Sequence, residues 1–333
     1  MDIRNILFIG ASCVGKTSLA ATVIGSACSF LDSCSGGRGG IELTLEPDTA
    51  ARVEALVRAL KDGVRGGRFD AAAVAATSAP ERFDITVGQR RRGLISRFMG
   101  PRAGFGLRFH DYPGALIGDL PAMTRGVMPL STADAVIVPI DAALLMEASC
   151  PDEEVAAQAL HQMARVEELV IEWVKGRSRS ESGLIMLVPV KCESYFSKPD
   201  DWNRLGRLVC HTYFSQVLSI VGVFGANITC VYAPVDTVGC CRVAARRWVT
   251  GQAPSFSADY SVSDGDSFAP LGGEVVMLIL LEYFLRLAAN TTTGEGQLEG
   301  IGTSTAAEMV DELGRLQDYC RDELGYKRAV HLC

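Results

Sequence analysis

Eight consecutive residues carry the strongest chemistry in the chain: Gly10-Ala11-Ser12-Cys13-Val14-Gly15-Lys16-Thr17, a full G-x-x-x-x-G-K-[ST] match. Residue types and spacing suit phosphate. Gly10 and Gly15 let the backbone approach an anion closely, so successive N–H groups from Ser12, Cys13, Val14 and Gly15 on to Ser18 point inward, helped by a helix N-terminus. Lys16 can bridge the β and γ phosphates as a catalytic cation, and the Thr17 hydroxyl can ligate Mg²⁺. A second constellation, Asp111-Tyr112-Pro113-Gly114, supplies the carboxylate such a metal needs. Asp111 would hold the metal, usually through a water, and the Gly114 N–H could contact the γ-phosphate, so loss of that phosphate would release the loop that follows.

These groups need a scaffold that brings strand ends together. Apolar Ile6-Leu7-Phe8-Ile9 precedes the glycine loop and helix-compatible Ser18-Leu19-Ala20-Ala21 follows it. Further along, short apolar runs alternate with longer helical patterns, as in a mostly parallel sheet covered by helices. Strands are predicted over 5–9, 83–87, 106–110, 135–141, 184–188 and 228–233. Helices are predicted over 16–27, 48–61, 153–174, 202–221, 273–289 and 306–323. The expectation is an α/β, P-loop NTPase (Ras-like) three-layer fold: a mostly parallel six-stranded sheet with helices on both faces and an insertion between the first helix and second strand. The main domain would span 1–289, with the insertion at about 35–80 and a long Ser/Asp/Gly-rich loop at about 237–269. Residues 290–333 would form a linker and C-terminal helix.

The two phosphate-side motifs together resemble the TRAFAC class of P-loop GTPases. The string Asp111-Tyr112-Pro113-Gly114-x-x-x-x-Asp119-Leu120-Pro121 is similar to bacterial YcjX-like proteins and to the double-GTPases, and Ala133-Asp134-Ala135-Val136-Ile137-Val138-Pro139-Ile140-Asp141 is like the strand after the second switch in these families. The resemblance covers roughly residues 3 to 235. It implies a base site at Val190-Lys191-Cys192-Glu193, where the class carries N-K-x-D. Lys191 would stack on guanine and Glu193 accept from it, although Val190 replaces the Asn and Glu is one methylene longer than Asp. Ala233-Pro234-Val235-Asp236 falls where the class places a backbone contact to the base oxygen. The first-switch Thr would be Thr44, Thr49 or Thr77, and Thr77 is preferred because it leads into the strand at 83–87. Ala115 stands where many class members carry the Gln that orients water, so hydrolysis would be slow or borrow another group. His110 is the local substitute, yet strand alternation turns it to the face opposite Asp111.

Composition narrows the function classes. The 333 residues carry 32 Lys+Arg against 39 Asp+Glu, a net charge of −7, which argues against a global nucleic-acid surface. Hydrophobic residues make up 48%, enough to exclude a mainly disordered chain. Eleven cysteines, an odd number with no C-x-x-C, suggest reduced thiols rather than a disulfide framework; Cys13 and Cys192 fall inside the predicted nucleotide loops, where oxidation would disturb binding. The stretch 208–235 lacks Asp, Glu, Lys and Arg, but reads as a buried helix and strand divided near 225–227 rather than a membrane span. The start lacks a signal-peptide pattern, so a cytoplasmic protein is expected. The basic patch of Arg90, Arg91, Arg92, Arg97 and Arg102 reads as a solvated hairpin, with docking to an acidic partner or membrane surface the sharper alternative. The function expected is a Mg²⁺-dependent GTP/GDP-binding switch with weak hydrolysis, read by a protein partner through its switch loops, a second GTPase-like protein being one candidate. The alternatives are an ATP-using or base-indifferent NTPase, and a nucleotide-stabilised scaffold.

Overall fold

Phe8 and Phe109 stack on one face of neighbouring strands while Leu7 and Ile9 point to the other, and this alternation sets the architecture. The computed structural model describes residues 2–34, 40–74, 78–89, 102–118, 130–178, 180–196, 198–224, 227–263, 265–290, 301, 303–322 and 330–332. Its strands are β1 (Ile3–Phe8), β2 (Ile41–Leu45), β3 (Val64–Arg65), β4 (Arg68–Phe69), β5 (Glu81–Gln89), β6 (Arg102–Asp111), β7 (Ala135–Asp141), β8 (Gly183–Val190), β9 (Ile228–Tyr232), β10 (Cys241–Val249), β11 (Ser255–Val262) and β12 (Val330–His331).

The main sheet has the order β12-β9-β8-β7-β1-β6-β5-β2. Its five central strands, β9, β8, β7, β1 and β6, run parallel, and β5 joins antiparallel to β6. These six are the strands predicted from the sequence. The sheet gains two antiparallel edges, β2 on β5 and β12 on β9. Both are short, which is why neither stands out as a run. With the glycine loop joining β1 to the first helix, this is the P-loop NTPase fold.

Helices cover both faces. On one lie α1 (Lys16–Cys34), α2 (Pro47–Gly63), α8 (Gly273–Asn290) and α9 (Thr303–Asp322). The expected C-terminal helix is not an appendage: Met309, Leu313 and Cys320 of α9 are buried in the same core as α1 and α8. On the other face lie α3 (Ala142–Met146), α4 (Pro151–Leu160), α5 (Met163–Gly176), α6 (Pro199–Arg207), a π-helical segment (Leu208–Tyr213) and α7 (Ser215–Phe224). The single helix predicted over 153–174 is therefore two. The break falls at Gln162, whose φ of 49° is left-handed, and it sets His161 beneath the end of β7, where His161 Nε2 accepts from the Asp141 N–H at 3.0 Å. The uncharged stretch divides as predicted, into α7 and β9. Among the described residues no helix is long and apolar enough to cross a membrane.

The long loop predicted over 237–269 is the largest correction. It is the β10–β11 hairpin, and with the insertion's β4 and β3 it makes a second sheet of order β10-β11-β4-β3. Phe256, Ala258, Tyr260 and Val262 alternate with Ser and Asp along β11, a half-buried strand pattern that the polar composition hides.

Candidate nucleotide site

The loop after β1 is held by its own lysine. Lys16 Nζ donates to the Gly10 carbonyl at 2.9 Å and to Ala11 at 2.7 Å, curling the loop around a position that an anion's oxygens can enter. Lys16 is buried, which draws its pKa below the usual lysine range, while the nearby Asp111 opposes that fall. Cys13, at φ 62°, and Gly15, at φ 101°, take the left-handed turns that aim consecutive N–H groups inward. Val14 is buried beneath the loop, whereas Ser12 and Cys13 are exposed at its mouth.

Thr17 is the second residue of α1, and its hydroxyl donates to Asp111 Oδ2 at 2.5 Å. Asp111 ends β6 one strand away, fully buried, with Phe8 as its register partner. Parallel pairing of β1 and β6 thus brings residues 94 apart in sequence into contact. Gly114 follows on the same side, packed against Ala11 and Ser12. Ala115 beside it is exposed and apolar, so it offers no hydrogen bond to a water.

A cavity of about 360 Å³ runs from Ser12, Gly15, Lys16, Thr17, Ser18 and Gly114 to Val190, Lys191 and Glu193. The predicted phosphate-side and base-side residues therefore share one pocket. Gly10, Val14 and Asp111 are not among the residues that line it. Lys191 stands at φ 59°, and its ammonium pairs with Asp141 Oδ2. Asp141 also caps α3, its Oδ1 accepting from Ala143 N at 3.0 Å and Leu144 N at 3.2 Å. A buried carboxylate fixed from two sides thus orients Lys191 where Val190 has no side-chain hydrogen bond to give. Glu193 is committed in part elsewhere: Oε1 accepts from Val238 N at 2.7 Å and Gly239 N at 3.2 Å. Burial pushes its carboxyl pKa up, while these N–H groups and Lys191 pull it down.

Several expectations change. Ala233-Pro234-Val235-Asp236 has no free amide for a base: Ala233 N donates to Leu187, Val235 N to Pro189 and Asp236 N to Leu271. The segment that does line the pocket is Thr237-Val238, and Thr237 Oγ1 accepts from Lys191 N at 3.3 Å. His110 lies outside the pocket, on the far face of the sheet, with Nε2 at 3.1 Å from Asn5 Oδ1. Burial, with Arg108 beside it, lowers its pKa to about 4. Thr77, the segment 119–125, Arg90 to Arg92 and Arg97 lie outside the described residues, as does the side chain of Arg102. Of the two remaining first-switch candidates, Thr44 pairs with Thr86 in the β2–β5 ladder, and Thr49 Oγ1 accepts from Asp84 N at 2.9 Å. Of the two loop thiols, Cys13 is exposed and Cys192 fully buried.

Sequence reasoning missed the apolar wall. Leu60, Phe69, Ala71, Ala72 and Val74 from the insertion line the cavity together with Val238, which leads into the hairpin, and with Cys241 and Tyr260 of the hairpin itself. Phe69 and Tyr260 are paired across β4 and β11 and meet edge to face at 6.2 Å. The two surplus segments thus build one structure over the pocket.

No family model matches the chain, and no curated protein matches it. Among solved structures, the chain is similar to one in the signal recognition particle receptor SRb-GTP/SRX complex from Chaetomium thermophilum, with 17% identity, a TM-score of 0.38, and coverage of 71% of this chain and 94% of that one. It is also similar to the S. cerevisiae Ski7 GTPase-like domain bound to GDP and inorganic phosphate, with 13% identity, a TM-score of 0.33, and coverage of 71% of this chain and 43% of that one.

Proposed function

We propose that the protein is a Mg²⁺-dependent guanine-nucleotide switch with slow intrinsic hydrolysis. The observation that carries this reading is the junction of Thr17 and Asp111 at 2.5 Å, beside the Lys16-closed loop and at the end of a cavity that reaches Lys191 and Glu193. A hydroxyl and a carboxylate are hard oxygen donors suited to Mg²⁺, so Thr17 and Asp111 would hold the ion. Bound there, it would neutralise charge between the β and γ phosphates. Lys16 and the loop amides bind and orient the phosphates. Gly114 reports on the γ-phosphate, and the loop after it carries the signal to a protein partner. With Ala115 apolar and His110 on the far face, neither position can orient a water beside Gly114, which supports slow turnover.

A second reading is a base-indifferent nucleotide site. It is favoured by Glu193, one of whose oxygens already serves Val238 and Gly239. Calorimetric titration of the full chain with GTP, GDP and ATP in Mg²⁺ separates the two. At least tenfold preference for the guanine nucleotides is expected, equivalent to about 1.4 kcal/mol; equal affinity for ATP would establish the second reading instead. Lys16→Ala should weaken GTP at least tenfold, and EDTA should weaken it as well. Undiminished affinity in that variant would remove the nucleotide from this loop.

A further inference from the structure

The loop that carries Lys191 and Glu193 opens on a strained residue, since Lys191 is not glycine yet stands at φ 59°. Such a conformation persists only where the surroundings fix it. Within the loop, Tyr195 N donates to Cys192 O at 2.9 Å. Outside it, the hairpin and the residues that lead into it meet the loop atom by atom. Thr237 Oγ1 accepts from Lys191 N, and Val238 N and Gly239 N hold Glu193 Oε1. Arg242, in β10, donates through Nη1 to the Glu193 carbonyl at 2.7 Å, and Val243 N donates to Ser194 Oγ at 2.8 Å.

The same hairpin reaches the lysine from the other side. Arg246 pairs with Glu147, which also accepts from Tyr195 Oη at 2.8 Å, and Trp248 Nε1 donates to the Glu147 carbonyl at 3.3 Å. Glu147 ends α3, the helix whose first residues are capped by Asp141, the partner of Lys191. Both side chains assigned to the base are therefore placed from β10, Glu193 directly and Lys191 through α3. Arg242 and Ser194 are not among the residues that line the cavity, so whatever they contribute acts through the loop.

We infer that Arg242 and Ser194 are positioning residues of the nucleotide site, fixing the main chain at Glu193 to β10 and so setting how tightly the base end of a nucleotide is held. This rests on the nucleotide reading proposed above. Arg242 is exposed, so replacing it leaves the core intact. The test is calorimetric titration of the full chain in Mg²⁺ with GTP and with inorganic tripolyphosphate, which has no base. Arg242→Ala should bind GTP about tenfold more weakly, as for one hydrogen bond from a charged group, and Ser194→Ala about fivefold more weakly, as for a neutral one. Tripolyphosphate affinity should stay within about twofold in both. Arg242→Lys, which keeps a cationic donor, should recover most of the GTP affinity. In a Glu193→Gln background, Arg242→Ala should add less than about twofold, because the two act as a unit. Unchanged GTP affinity in Arg242→Ala, an equal loss of tripolyphosphate, or the full effect in the Glu193→Gln background would each overturn the inference. A wild-type chain that binds GTP no better than tripolyphosphate would overturn the base site and this inference together. One that binds ATP as tightly as GTP would remove only the guanine preference, and Arg242→Ala should then weaken both nucleotides equally.

Discussion

At Gly114 a Cβ would lie 2.1 Å from the Ser12 nitrogen and 2.3 Å from the Ala11 carbonyl carbon. Both neighbours are backbone atoms of the phosphate loop, and neither can yield by a change of rotamer. Gly114→Ala must therefore push the loop after β6 away from the loop after β1, the approach on which a γ-phosphate sensor depends. The expected result is a loss of about 1–3 kcal/mol in denaturant unfolding, as for overpacking at a tight contact, together with weakened GTP affinity while GDP binding suffers less. Equal weakening of both nucleotides would assign Gly114 a packing role alone. Asp141 shows a different economy. Its carboxylate caps α3 and holds Lys191, and its amide donates to His161, so one buried side chain and its own backbone organise three elements around the base end of the pocket.

The small sheet is the element that distinguishes this chain from a minimal P-loop domain. β4 comes from the insertion and the β10–β11 hairpin from a segment about 170 residues further on, and Tyr260 sits at their junction in a satellite core with Leu60, Val238 and Val262. Gly239 shows how tightly the two ends of the hairpin segment are closed on each other: at φ 83°, a Cβ there would fall 1.7 Å from the Ala269 carbonyl oxygen. Truncating Tyr260→Ala should cost about 3 kcal/mol, as for a large buried aromatic, and weaken nucleotide about tenfold by opening the apolar wall. Tyr260→Phe should keep the affinity. An unchanged nucleotide affinity in Tyr260→Ala, read by calorimetry, would detach the small sheet from the pocket. That the glycine loop, Lys16, Thr17 and Asp111 would come together was legible in the sequence because they lie in short motifs at strand ends. The wall was not, because Phe69 and Tyr260 gain meaning only once β4 and β11 pair. Ala233 to Asp236 misled for a related reason: order along the chain locates a loop but does not reveal which of its amides the sheet has already used.

Across the whole molecule, charge that matters is buried and its titration governs stability. His110 and His161 are both held neutral, their pKa values lowered chiefly by burial, that of His110 to about 4. An unfolded histidine titrates near 6.5. A lowered histidine pKa means that the unfolded chain binds the proton first, so the stability tied to the neutral ring is complete above about pH 6.5 and is lost as pH falls towards 4. Glu193 and Glu274 act in the opposite sense. Burial raises their pKa values, so the folded chain takes up those protons first, and acidification stabilises it relative to the unfolded chain as pH falls from the raised values to the ordinary carboxylate range. The total pH profile is a sum of opposing slopes and does not identify any one group. A difference does. His110→Gln retains an amide that can meet Asn5 and removes the titration, so whatever it costs at pH 7.5 should shrink steadily between pH 6.5 and 4. Urea unfolding of both chains across that range measures the difference, and a gap that stays constant would show that His110 is free to take its proton in the folded protein. Because Asn5 lies in β1 and His110 in β6, the strands that lead to Gly10 and Asp111, protonation of this pair would strain the same two strands that set the spacing of the nucleotide site. Guanine-nucleotide affinity of the folded wild-type chain should therefore stay level down to about pH 5 and fall as pH approaches 4, more than in His110→Gln.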